Sequence, residues 1–483
     1  MFSYRFIKRT LALLLFITIL FPGFSFSQKI WTLEDCINYA LDNNLDIKKQ
    51  LLAVETNKAD LLQSKLGMLP DLNANATNVW NFGQTIDMYT NTFATNTVRS
   101  NNFYIQSSMV LFSGLQKFNT VKQNQLDLLA SKYDLDVLKN DISLSVAGYY
   151  LDILFNLELL DVARGQLTIT KEEVQRISKK VEAGASAKGD LLNIQAQLSA
   201  EELSVIEAEN RLNISTLSLQ QLIDLPVTKD FLIEEPVLKD VEPPKEQVTP
   251  EIIFEHALKI RPEIKSAELN VKSAQKYVAI SRGAITPTLS FGGSWGTGYS
   301  GAAMEIDPNI PPVITPYTMG ITQISRDSVI GFDVSRSTRV TAFSDQMRQN
   351  ENQSLGFYLN IPIFNGWQGR TAIAKAKILA HQAELDLDIR IRDLRKLIEQ
   401  AYADAVASLK KFNSSKEKVK AQEESFKYTS QKFDVGMMTS FDYNNSKKDL
   451  TKAQSDLLQA KYDFIFRTTI LDFYMGNPIR ITN

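Results

Sequence analysis

Apolar residues recur in steps of three, four or seven from Val121 through Leu128, Leu135, Leu138, Ile142, Val146, Tyr149, Ile153, Leu157, Leu160, Leu167, Val174 and Ile177 to Val181. A period near 3.5 marks a helix with one continuous seam. No proline interrupts residues 115–225, so the pattern predicts a single helix over 115–183, about 100 Å long at roughly 1.5 Å per residue. Globular helices usually stop within about 20 residues. A helix this long therefore needs other long helices beside it to cover its seam. Gly184 and Gly189 break the pattern and supply the backbone freedom of a tight helix–helix turn. Beyond them Leu191, Ile194, Leu198, Leu203, Ile206, Leu212 and Leu219 restart it, predicting a return helix over 190–224. The same design recurs from Trp367 to Asn477, again without an internal proline.

Between the shorter and longer helices the period falls to two. Leu72, Ala74, Ala76, Trp80 and Phe82 alternate with Asn73, Asn75, Thr77 and Asn81, and Phe103, Ile105, Met109 and Leu111 mark a partner strand. In the second half Leu289, Phe291, Trp295 and Tyr299 alternate with glycine and serine, and Leu355, Phe357, Leu359, Ile361 and Ile363 share one face. Strands of about ten residues with one apolar face and aromatics near its ends have the patterning of tilted membrane β-strands. A soluble hairpin with one buried face is the plainer alternative. The connecting stretches 84–100 and 301–352 read as surface loops, the second carrying Pro308, Pro311, Pro312 and Pro316.

Two constant offsets relate the halves. Ala40-Leu41 matches Ala257-Leu258 and Pro70 matches Pro287 at 217, while Gly114 matches Gly366, Gly184 matches Gly436, Asp190 matches Asp442 and Pro226 matches Pro478 at 252. An internal duplication with an insertion between about Ser300 and Gln353 explains both. The expected organisation is a leader over 1–27, a first repeat over 28–226, a linker over 227–249 and a second repeat over 250–483, with the longer surface loop at about 301–353. Within the repeats, Thr32-Leu33-Glu34-Asp35 and Thr249-Pro250 read as helix starts, and the first helix is expected to run unbroken over 33–69 until Pro70 ends it.

Composition narrows the function. With 53 basic against 55 acidic side chains, the chain lacks the basic surface that nucleic acid requires. Arg5, Lys8 and Arg9 before the apolar run Leu11–Phe21, with small residues ahead of Gln28, fit a secretory leader. No later segment reads as a membrane-spanning helix. Cys36 is the only cysteine and sits in an amphipathic helix start, where a buried, inert thiol is expected; His256 and His381 are the only histidines. The sequence has no P-loop, no metal-spaced His/Cys set and no nucleophile elbow, so neither a catalytic centre nor a cofactor or metal is expected.

Four strands cannot close a membrane barrel, which needs at least about eight. An open sheet edge in lipid would leave backbone groups unpaired at several kcal/mol each. If the strands cross a membrane, the chain must share a barrel with its own copies. The whole mature chain resembles the outer membrane efflux proteins of the TolC family. The marks are the duplicated unit, Pro362-Ile363-Phe364-Asn365-Gly366 at a strand-to-helix junction, Arg261-Pro262-Glu263, and the two glycine turns followed six residues later by Asp190 and Asp442. The resemblance implies an α+β membrane protein: a homotrimer whose 12-stranded β-barrel, four strands per chain, continues into a long α-helical barrel of coiled-coil hairpins. It also implies an outer membrane location with the helices in the periplasm, a periplasmic adaptor, and an inner-membrane transporter of the RND, ABC or MFS type.

By the same resemblance the adaptor contact falls at Val181, Gly184, Ser186, Gly189, Val435, Gly436, Met437, Met438 and Thr439. Asp442, and with it Asp190, would line an acidic entrance ring. The plainer role for both carboxylates is capping of the returning helices. Phe433 and Met438 depart from the tyrosine and arginine that tie the closed tip in some relatives, which leaves the locking scheme open. Adjacent Met437 and Met438 read as an adaptable apolar contact rather than a soft-metal site. A structural or adhesive periplasmic coiled coil without a pore accounts for the helices but not for the strands, and a general porin accounts for the strands but not for the helices.

Overall fold

Residues 29–94, 97–227, 231–236 and 249–480 are described in the computed structural model. The leader expected over 1–27 and most of the linker expected over 227–249 lie outside the described residues. In chain order the elements are β1 (Ile30–Trp31), α1 (Leu33–Asn43), α2 (Leu45–Leu66), β2 (Asn73–Asn81), β3 (Thr85–Ile86), β4 (Phe93–Ala94), β5 (Val98–Ser113), α3 (Gln116–Glu182), α4 (Lys188–Leu222) and β6 (Leu232–Ile233). There follow α5 (Pro250–Ile260), α6 (Pro262–Gly283), β7 (Thr288–Ser300), β8 (Met304–Ile306), β9 (Val313–Ile321), β10 (Ser328–Ser335), β11 (Thr338–Val340), α7 (Phe343–Gln349), β12 (Asn352–Asn360), α8 (Gln368–Asp434) and α9 (Ser440–Tyr474). Helices α3 and α8 have 67 residues each, and their return partners α4 and α9 have 35 each.

The helix expected over 33–69 is two helices, α1 and α2. Asn44 leaves helical torsions (φ −57, ψ 130), and its side-chain oxygen accepts from the amides of Asp46 (2.9 Å) and Ile47 (3.3 Å). A local cap thus competes successfully with helix continuation. In the second half Arg261 breaks α5 from α6 (φ −67, ψ 127), because Pro262 excludes helical torsions from the residue before it. At the start of α1, Thr32 Oγ1 accepts from the Asp35 amide at 3.0 Å and the Asp35 carboxylate accepts from the Thr32 amide at 3.3 Å. This is a reciprocal capping box.

The chain folds as two units. One comprises the described residues through Val54, those within Ala130–Glu268 and those from Asp386 on. Its core joins Ile253, Phe254 and Ala257 of α5, Ile264 of α6, Leu394, Ile398, Ala401 and Ala405 of α8, and Leu471 of α9. Small residues in this set let helix axes approach. Nearby, β1 and β6 pair in parallel, and the buried Tyr150 hydroxyl donates to the carbonyls of Trp31 (3.1 Å) and Glu234 (2.7 Å). Cys36 is fully buried, and burial, with the Asp35 charge beside it, pushes its thiol up to about 12. One 18-residue stretch of α3 passes the length and composition test for a membrane-crossing helix, contrary to the sequence expectation that no later segment does. In it Tyr150, Leu151, Ile153 and Leu154 are buried, as expected for a packed seam that is also apolar.

The other unit comprises Glu55–Leu129 and Leu269–Leu385. It carries an antiparallel sheet of order β12-β7-β5-β2. Register puts Ala74 opposite Ile105, Ile105 opposite Trp295, Phe291 opposite Phe357 and Leu289 opposite Leu359. Those pairs collect on one face. Asn75, Tyr104 and Gly296, and then Ser290 with Tyr358, fall on the other. On the apolar face Trp80, Trp295, Leu355, Phe357 and Leu359 stand exposed. Strand β12 stops at Asn360, so Ile361 and Ile363 extend the apolar series beyond the ladder.

The stretches expected to be loops hold structure. Between Gln84 and Ser100, β3 pairs with β4; within 301–352, β9 pairs with β10, β8 pairs with β11, and α7 follows. The prolines suggested a loop, yet Pro316 lies inside β9, in a two-stranded ribbon whose free edges tolerate its missing donor. Both strand-to-helix junctions place two consecutive residues in the left-handed region, Gly114 and Leu115, then Gly366 and Trp367. At Gly114 a Cβ would lie 2.1 Å from Thr286 Oγ1 and 2.7 Å from Gly283 Cα, so close backbone approach as well as torsion requires glycine there.

Candidate functional site

Each long helix ends in the same hydrogen-bonded turn. After α3, the Gly184 amide donates to Val181 O (3.0 Å) and the Ala185 amide to Lys180 O (2.7 Å), with Gly184 at φ +71. After α8, the Gly436 amide donates to Phe433 O (3.0 Å) and the Met437 amide to Lys432 O (2.8 Å), with Gly436 at φ +73. These are Schellman turns, which satisfy the last helical carbonyls and need a left-handed residue at the turn. Open space surrounds the position a Cβ would take at either glycine, so torsion alone selects glycine. The second glycine of the first turn, Gly189, lies exposed in the first turn of α4.

The returning helices start differently. Thr439 caps α9: its hydroxyl oxygen accepts from the Asp442 amide (3.2 Å) and the hydroxyl donates to the Asp442 carboxylate (2.7 Å). Asp442 is exposed and engaged in its own cap. In the first turn the matching residue is Ala187, which has no side chain to cap with. The Asp190 carboxylate instead accepts from Ser186 Oγ of its own turn (3.1 Å) and from Ser440 Oγ of the other (2.8 Å). Capping is thus the local role of Asp442, whereas Asp190 ties the two turns together.

A second tie lies just inside the first. Arg176 of α3 donates to the Asp434 carboxylate at the end of α8 and to Glu173 (2.6 Å). Its guanidinium lies 5.8 Å from the Phe433 ring centre, and Phe433 stacks on Tyr443 at 4.7 Å. Burial and the nearby Glu173 carboxylate push the Tyr443 hydroxyl up to about 12. Further along α9, the buried Lys447 donates to Thr170 Oγ1 (2.5 Å) and lies 3.9 Å from Glu201. Burial lowers the Lys447 pKa, against the pull of Glu201 and Glu173.

The predicted residues therefore gather at one place. Val181 and Ser186 are half-buried, Gly184 and Gly189 are exposed, and Thr439 is exposed at its cap. Val435 and Met437 stand out into solvent, while Met438 is half-buried. The sequence reading missed Phe441, exposed beside them, and the polar ties made by Glu173, Arg176, Asp434 and Ser440. Phe441 stands as an aromatic within the otherwise polar Thr439-Ser440-Phe441-Asp442, and that contrast was a usable signal. Nothing local marked the others. Among the described residues no group of three or more His, Cys, Asp or Glu side chains is arranged to hold a metal ion.

The family model described as outer membrane efflux protein matches residues 36–224 and 253–477. The alkaline protease secretion protein AprF of Pseudomonas aeruginosa is 22% identical over 325 residues, 66% of this chain and 57% of that protein's length. The outer membrane protein TolC of Vibrio cholerae is 20% identical over 445 residues, 91% of this chain and 90% of its own. Among solved structures, the outer membrane protein VceC of Vibrio cholerae superposes with a TM-score of 0.72 at 14% identity, covering 93% of this chain and 97% of that one. The Campylobacter jejuni CmeC outer membrane channel does so with a TM-score of 0.72 at 16% identity, covering 92% and 85%.

Proposed function

The chain belongs to the outer membrane efflux protein family, and from this membership and its own geometry we propose that it is an outer membrane exit duct, passively conducting substrates delivered by an inner-membrane transporter and a periplasmic adaptor. The observation that carries the reading is the sheet β12-β7-β5-β2, with one face apolar and exposed and with both edge strands unpaired. Unpaired edges do not survive in lipid. Copies of the chain joined edge to edge remove them, and three copies of four strands give a barrel of 12 with room for a lumen. The two element series, each with its hairpin, 67-residue helix and 35-residue return, act as structural repeats, 28–226 and 250–483, on either side of the linker 227–249.

In this reading the sheet sits in the outer membrane and the long helices reach into the periplasm. The turns at Gly184 and Gly436 form the periplasmic entrance. Val435, Met437 and Phe441, with the small residues of the first turn, offer the adaptor an apolar crown. Three copies of Asp442 around the axis make an acidic ring, compatible with the cap because the carboxylate remains exposed. The partner transporter is of the RND, ABC or MFS type, serving efflux or type I secretion, and the duct itself needs no catalytic residue.

Single-channel recording in planar bilayers tests this. Small currents of low open probability, blocked by a multivalent cation, are expected, and the block should disappear in Asp442→Ala. Large, permanently open currents would remove the closed entrance from the reading. Absence of current from folded, inserted protein would favour a structural coil instead.

A further inference from the structure

The insertion between β7 and β12 holds a ribbon whose apolar face is uncovered. Register places Ile314 opposite Val334, Pro316 opposite Phe332, Thr318 opposite Ile330 and Ile321 opposite Ser328. All of these lie on one face, where Ile314, Ile321, Ile330 and Phe332 are each 57–66% exposed. A two-stranded ribbon by itself is marginal in water, and a contiguous apolar surface marks a contact.

The opposite edge of the same sheet carries a matching surface. After β2, the loop through β3 and β4 pairs Ile86 with Phe93. These two, with Phe82 and Met88, are 60–80% exposed. The loop is not free to fold them away. The buried Asp87 carboxylate accepts from the Tyr89 and Thr90 amides (3.1 and 2.9 Å) and from Ser300 Oγ (2.5 Å). Ser300 also anchors the base of the insertion, because its amide donates to Gln346 Oε1 (2.8 Å) while Gln346 Nε2 donates to the carbonyls of Ser300 (3.0 Å) and Thr341 (2.9 Å).

Sheet order decides what meets what. With β12 and β2 as the edges, a ring of copies joins β12 of one to β2 of the next. The segment entering β12 then lies alongside the segment leaving β2 of its neighbour. We propose that the apolar face of the β9–β10 ribbon of one copy seats on Ile86, Met88 and Phe93 of the next, an inter-copy clasp outside the barrel. This rests on the ring-of-copies reading above.

The test is cysteine cross-linking of the full chain in its membrane with a short bis-maleimide, the buried Cys36 left in place. Phe93→Cys/Phe332→Cys and, as a second pair, Ile86→Cys/Ile330→Cys should each give a ladder of linked copies that the single variants lack. A control combines Asn75→Cys with cysteines stepped along residues 352–360, reporting edge-to-edge joining alone. Links in the control without links in either ribbon pair overturn the clasp while leaving the ring intact, and would assign the ribbon to lipid or a foreign protein. Self-linking of Phe332→Cys alone overturns it in favour of ribbons meeting at the axis. Failure of the control as well removes the ring and the clasp together.

Discussion

Replacing Arg176 by alanine should loosen the tie between α3 and the end of α8. The Arg176 and Asp434 side chains are 37% and 46% exposed, so their ion pair is well screened and contributes about 0.5 kcal/mol. Glu173 is different: its side chain is 8% exposed, and removal of Arg176 strands a buried carboxylate. A charged hydrogen bond of this kind is worth about 1.5–3 kcal/mol, and the partial exposure of Arg176 argues for the lower end. The sum is about 2 kcal/mol, roughly a 30-fold change in the balance between tied and parted helices. In planar bilayers, Arg176→Ala should therefore raise the open probability by up to about 30-fold. Asp434→Asn should have a smaller effect, since it leaves the Glu173 contact in place. Adding Glu173→Gln to Arg176→Ala should reverse most of the change, because the carboxylate that lost its Arg176 partner is then gone. Unchanged gating in Arg176→Ala protein of native helicity and oligomeric size would refute the reasoning.

Three further outcomes follow from the geometry. Gly114→Ala should cost well over the roughly 1–2 kcal/mol of a left-handed alanine, because its Cβ also meets Gly283 Cα at 2.7 Å, whereas Gly366→Ala, in open space, should cost only the torsional part; thermal unfolding in detergent compares them. Burial pushes the Asp87 carboxyl up, but its hydrogen bonds from Ser300, Thr90 and Tyr89 outweigh burial and hold its pKa below the ordinary value. Its stabilisation of the loop is thus complete above the unfolded carboxylate value of about 3.9 and is lost as pH falls through the lower folded value. Protection factors of the Tyr89 and Thr90 amides should drop across that window, and a drop that persists in Asp87→Asn would disprove the cause. Finally, with its thiol near 12, Cys36 is thiolate in only about one molecule in ten thousand at pH 8; a maleimide should label it only after unfolding.

Much of this chain is local in origin and was legible as sequence. The 3.5 period produced helices α3 and α8, glycine at 184 and 436 produced the two Schellman turns, and alternation separated the two faces of the sheet. Each of these depends on torsions and side-chain direction within a few residues, which sequence spacing reports directly. Breaks decided by competition were less legible. Asn44 could continue a helix or cap the next, and only the folded chain chose the cap. The same holds for the prolines of 301–352, compatible with a loop, of which Pro308, Pro311 and Pro312 precede the ribbon and Pro316 lies inside it.

The tip shows where sequence stops. Asp190 and Asp442 occupy equivalent positions, yet one bridges two turns and the other closes its own cap, because Ala187 cannot cap and Thr439 can. Arg176 and Asp434 are 258 residues apart. Their meeting depends on how far one long helix is shifted along another, a quantity that no single helical period contains. The sequence determined the long helices and their return helices, the four strands of the main sheet with their apolar face, and the two glycine turns. The tertiary structure decided axial register, and with it the polar ties that join one turn to the other.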